Sequence, residues 1–126
     1  MILALRIAIG LGGLLLFSLA FGFFTDPAAS GADFGLVVEG AHGLTSARSD
    51  FTAFFGVGGA CFIWGAWARR SDPLIIGAAL MLVTLVGRIV SYTLHGGFEG
   101  FHLPMIVELV LGVLGILGAR MLPNRA

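Results

Sequence analysis

Few residues in this chain can do chemistry, and two of them stand where a charge is most costly. Arg88 is the single charge inside one long apolar run, and Glu108 is the single charge in the body of another, which has Arg120 only near its end. At about 1.5 Å per helical residue, Arg88 falls roughly 9 Å and Glu108 roughly 8 Å below the ends of their runs. If the two runs are antiparallel neighbours, both charges meet at one depth. A lone charge at the centre of a bilayer costs at least about 2.5–3.5 kcal/mol, so an inward-facing ion pair is expected. Thr84, Arg88, Ser91, Tyr92 and His95 recur at three- and four-residue steps, which puts them on one helical face. Arg48 and Asp50 precede another apolar run at the same end. Asp50 is expected at that helix's N-terminus, where a carboxylate accepts orphan N–H bonds. The spacing therefore predicts a polar cup lined by Arg48, Asp50, Arg88, Tyr92 and Glu108.

That cup admits two roles. Two guanidiniums beside carboxylates can hold an anionic or lipid-like ligand. The same charges can instead form a clasp that ties three helices together. A catalytic reading would use Glu108 and His95 as acid and base on a lipid or isoprenoid-like substrate. His95, Glu99 and His102 come nearest to a metal set, but Gly96, Gly97 and Gly100 interrupt the helix that would align them. No metal and no other cofactor is expected. There is no nucleophile elbow, phosphate loop, dinucleotide fingerprint or metalloprotease helix. Gly10-Leu11-Gly12-Gly13 reads as a packing run. The single Cys61 excludes an intrachain disulfide and reads as a small core hydrophobe.

The elements that must position these residues follow from composition. Of 126 residues, 58% are hydrophobic and only 11% charged, with a mean hydropathy of +1.02. Soluble domains carry roughly 25% charged residues, so a soluble domain and a disordered chain are both excluded. There is no Lys and the net charge is zero, so no nucleic-acid partner is expected. Four apolar runs are long enough to cross a bilayer core of roughly 30 Å. They lie at about 2–24, 51–68, 73–94 and 103–122 of a single membrane domain, 1–126. The first run exceeds the usual length of a signal-peptide core and is read as a retained span.

Arg6, Arg69, Arg70, Arg120 and Arg125 fall on one side of an up-and-down weave. Arg48 stands opposite them with Asp26, Asp33, Glu39, Asp50 and Glu99. The positive-inside rule then places both termini in the cytoplasm. The fold expected is an all-α, up-down-up-down four-helix membrane bundle. Segment 25–50 is long for a plain loop and is expected to hold a short structured piece on the outer face. Stripes of small residues (Gly10, Gly13 and Gly22; Gly56, Gly59 and Ala60; Gly112, Gly115 and Ala119) should bring the helices together.

Several of these pieces occur in a recognisable order. They are Leu5-Arg6-Ile7 with Gly10-Leu11-Gly12-Gly13-Leu14, then Phe34-Gly35-Leu36, then Ala47-Arg48-Ser49-Asp50-Phe51. Gly87-Arg88-Ile89-Val90-Ser91, Gly96-Gly97 and Glu108-Leu109 complete the series. In this the chain resembles a family of small bacterial four-helix membrane proteins, the domain of unknown function 4345. The resemblance implies an inner-membrane bundle in which Arg48, Arg88 and Glu108 matter. It implies no activity. Function is therefore expected to be a binding or accessory module with membrane lipid as partner. The alternatives are the Glu108/His95 enzyme and a structural subunit of a homo-oligomer or larger membrane complex.

Overall fold

A computed structural model describes residues 1–123, and Arg125 lies outside the described residues. Four long helices form an up-down-up-down bundle. They are α1 (Ile2–Thr25), α4 (Thr52–Ala68), α5 (Ser71–His95) and α6 (His102–Met121). Two short helices, α2 (Pro27–Asp33) and α3 (Gly40–Ser46), fill the connection between α1 and α4. Helices α1, α5 and α6, and the continuous helix Gly40–Ala68 that ends in α4, are apolar and long enough to cross a membrane. The chain is thus a multi-pass membrane protein. Both ends of the described chain and the α4–α5 link lie at one end of the bundle, the terminal end. Segments 26–51 and 96–101 lie at the other, the loop end.

Local sequence explains the connection. Asp26 ends α1, and its carboxylate accepts the Ala29 N–H at 3.1 Å, while Pro27 occupies the first turn of α2. Pro is tolerated there because its missing N–H would have had no helical partner. Gly35 takes φ +73°, which lets the chain turn back so that Leu36 N–H reaches Gly31 O at 2.9 Å. Gly40, at φ +65°, then opens α3. The helix runs without a break from Gly40 to Ala68, through a π turn at Ala47–Phe51. Asp50 therefore sits inside a continuous helix, and the expectation that it stands at the N-terminus is corrected. Hydropathy marks where a helix enters lipid; backbone hydrogen bonding continues past that point. At about 1.5 Å per residue, such a helix is roughly 44 Å long and outreaches a core of roughly 30 Å.

Close backbone approach joins the helices. A Cβ on Gly13 would come within 2.8 Å of Gly59 O, and one on Gly59 within 2.6 Å of Gly13 O. Helices α1 and α4 meet there almost backbone to backbone. Helices α5 and α6 form the other tight pair, with Gly115 against Ala78 and Gly112 against Leu82. The two pairs are locked together in the terminal half, where Phe62 packs on Gly77 and Gly115, and Gly118 meets Ile9. Two members of the expected stripes do not take part. Nothing lies within 4 Å of a Cβ placed on Gly10, and Ala60 is exposed.

Arginines finish three of the four long helices. A helix ends with carbonyls that lack N–H partners, and lipid offers none. Arg6 donates to Ala66 O at 3.0 Å and Trp67 O at 3.2 Å, at the end of α4. Arg48 Nε donates to Phe24 O at 2.9 Å, at the end of α1. Arg69 Nε donates to Leu122 O at 2.7 Å, just past α6. Gly59→Ala is expected to destabilise the detergent-solubilised protein by about 1–3 kcal/mol, the usual cost of overpacking. Gly87→Ala, with open space around it, should change stability by no more than about 0.5 kcal/mol. Unfolding curves of the two variants against the parent check both values.

Candidate functional site

The sequence-predicted ion pair exists. Arg88 Nε, on α5, donates to Glu108 Oε1, on α6, at 2.6 Å. Among the described residues Glu108 is the buried charged residue, at 6% exposure, while the Arg88 side chain keeps 28%. A charge-assisted bond of this length is strong, and it joins adjacent antiparallel helices at one depth. The pair is incompletely satisfied. Glu108 Oε2 is buried without a hydrogen-bond partner among the described residues. Arg88 bonds through Nε alone, so its two terminal nitrogens make no protein hydrogen bond among the described residues.

The pair lines a cavity of about 1010 Å³ at the loop end of the bundle. Its cause is the glycine pattern. The contacts that draw the two helix pairs together cluster in the terminal half, and the pairs stand apart beyond them. Leu15, Leu16 and Met81 form the deep end, Thr84, Arg88 and Glu108 a polar belt, and Asp33, Asp50 and Glu99 the mouth. Phenylalanines wall one side. Phe23 stacks on Phe51 at 4.7 Å between ring centroids, Phe34 tilts against Phe55 at 5.5 Å, and Phe54 meets Phe55 edge-on at 5.0 Å.

Of the five residues expected to line a cup, three do: Asp50, Arg88 and Glu108. Arg48 does not. Its guanidinium is turned to the α1 terminus, because a helix end without carbonyl partners is the nearer demand. Tyr92 does not line the cavity either. It is exposed and stacks on Phe101 at 4.9 Å, securing the α5–α6 connection. His95 is exposed at the last turn of α5, away from the cavity lining, so the structure does not bring Glu108 and His95 together there as an acid–base pair. Gly96, at φ +81°, ends α5 after His95, and α6 starts at His102. His95, Glu99 and His102 thus do not share one helix, and no cluster of three metal-binding side chains occurs among the described residues.

Sequence reasoning missed Asp33, Glu99 and the aromatic wall as lining residues. The wall had a signal: Phe51, Phe54 and Phe55 recur at helical spacing. Asp33 and Glu99 had none, since each is brought to the mouth by a glycine turn whose direction only the fold fixes.

The family model described as Domain of unknown function (DUF4345) matches residues 4–119. The chain belongs to this family. No curated protein and no solved structure matches it. The DUF4345 match covers α1 through nearly all of α6, so the cavity, its mouth and the Arg88–Glu108 pair all lie within the family domain.

Truncating Arg88 to Ala leaves a buried carboxylate unpaired and should destabilise the protein by about 3–5 kcal/mol. The double variant Arg88→Met with Glu108→Leu should recover most of that loss, because it removes both charges. Denaturant or thermal unfolding of the single and double variants measures the recovery.

Proposed function

We propose that this DUF4345 protein is a small inner-membrane binding module that takes a lipid-like molecule into the cavity at its loop end. The cavity carries the reading. Small-molecule pockets span about 300–1,000 Å³, with mostly apolar walls and a few placed polar groups. This one has a comparable volume of about 1010 Å³, leucine and phenylalanine walls, and one polar belt at Arg88 and Glu108. The depth order suits a molecule of the adjoining leaflet. An apolar chain fits against Leu16 and Met81, and a head group faces the mouth. The free anion reading is weaker than the sequence suggested, because Arg48, the second guanidinium, is engaged elsewhere.

The same reading puts both termini in the cytoplasm. Arg6, Arg69, Arg70 and Arg120 belong to the terminal end, and Arg48 alone to the loop end. A fluorescent protein fused after residue 123 should glow in cells, and alkaline phosphatase fused there should be inactive. Insertion of the same reporters near Gly97 should give the opposite pattern. Matching signals at both places would overturn the orientation.

Thr84→Trp tests occupancy, since Thr84 lines the cavity and is only half-buried. Native mass spectrometry of protein extracted in mild detergent should show a lipid-mass adduct on the parent and its loss in Thr84→Trp, with the unfolding midpoint retained. Equal adducts on both proteins would sink the proposal. A protein-mass partner in place of a lipid adduct would favour a structural subunit of a larger complex or homo-oligomer.

A further inference from the structure

The charge of the cavity mouth says more about the ligand. Resting on the binding reading above, we propose that the occupant is a cationic amphiphile: an apolar chain, an oxygen- or nitrogen-bearing middle, and an ammonium head. Three carboxylates reach the mouth from three separate segments. Asp33 comes from the end of α2, Asp50 from the π turn, and Glu99 from the connection between α5 and α6. Among the described residues Arg88 is the one cation in the lining, and its charge is matched by Glu108 at 2.6 Å. The belt is therefore neutral, and the mouth keeps the three negative charges of Asp33, Asp50 and Glu99.

A second observation points to a ligand independently of those acids. Glu108 lines the cavity, is buried, and leaves Oε2 without a hydrogen-bond partner. An unpaired buried acceptor costs about 1–3 kcal/mol, or more when charged. A hydroxyl or N–H in the middle of the ligand would satisfy it once the Glu108 carboxylate turns toward the cavity. The terminal nitrogens of Arg88 would donate to an ester or amide oxygen at the same level. Above them, a phosphate head would face three carboxylates at once, whereas an ammonium head would be attracted by all three. Phe98, in the connection at the mouth, adds an aromatic face that favours a cation. The π turn gives a further reason to place recognition here. Such turns recur at functional sites, and this one holds Arg48 on the α1 terminus while Asp50 stays at the cavity.

The probes are hexadecylamine, hexadecanol and hexadecyl phosphate. Each is titrated at neutral pH onto the protein in a non-ionic detergent and read by native mass spectrometry, with Thr84→Trp as the blocked control. Hexadecylamine should bind tightest, by at least about tenfold over hexadecyl phosphate. The combined variant Asp33→Asn, Asp50→Asn and Glu99→Gln should abolish that preference. Glu99→Gln alone, at an exposed residue with no side-chain hydrogen bond among the described residues, should reduce it and covers the case in which the combined variant does not fold. Phosphate binding equal to or tighter than amine, or an amine preference that survives neutralisation, overturns the inference while the binding reading stands. Equal binding of all three probes to parent and Thr84→Trp overturns the binding reading itself.

Discussion

A carboxylate surrounded by hydrocarbon must be matched from within the protein, and this bundle is arranged around one such match. Glu108 can be buried only because Arg88 rises to the same depth on the neighbouring helix. That demand fixes the register of α5 against α6, since a slide by one turn, about 5.4 Å, would break a bond of this length. It also keeps Arg88 turned inward, away from acyl chains. The pair is a poor source of net stability, because desolvation consumes most of the attraction. Its effect is to define a polar belt at one level of an otherwise apolar interior. Among the described residues, one oxygen of Glu108 and the two terminal nitrogens of Arg88 make no hydrogen bond.

The same solvent explains the other arginines. Several of them have an assigned partner. Arg6, Arg48 and Arg69 are spent on terminal carbonyls of α4, α1 and the end of α6. Arg70 meets the exposed Asp72 at 3.4 Å, a contact of little energetic consequence. Arg69 adopts the left-handed conformation, φ 55°, that usually goes to Gly at a helix end. Its side chain, anchored on Leu122 O, offsets that backbone cost and joins the α4–α5 link to the end of α6. Arginines near helix ends thus serve both the charge asymmetry across the membrane and the capping of helices.

Much of this was legible in the sequence, for reasons that differ by residue. The four spans and their antiparallel weave follow from the length of apolar runs, because lipid leaves no other solution for the backbone. The Arg88–Glu108 pairing followed from cost alone: two isolated charges at equal depth on adjacent spans have one remedy. What failed shares a physical cause. Asp50 read as a helix start because polarity rises there, but the helix is set by hydrogen bonding and runs on to Gly40. Arg48 and Tyr92 were drawn into the cup by proximity in sequence. Each instead meets a local demand, a bare carbonyl for one and an aromatic face for the other. Long flexible side chains go where the unsatisfied group is, and hydropathy does not record where that is.

Where the cavity sits is a matter of glycine. Apolar side chains cannot drive helix association in a lipid environment, so the helices come together only where small residues allow backbones to touch. In this chain the glycine contacts that draw the two helix pairs together fall in the terminal half: Gly77 and Gly115 with Phe62, and Gly118 with Ile9. In the loop half the glycine of α5, Gly87, has nothing within 4 Å of its added Cβ. The bundle is consequently tight at one end and open at the other. The open end is also where the connections carry acidic residues and aromatic rings. Packing glycines that say nothing about chemistry therefore decide where chemistry has room, and a chain with the same charges but glycines spread evenly along its helices would close over Arg88 and Glu108.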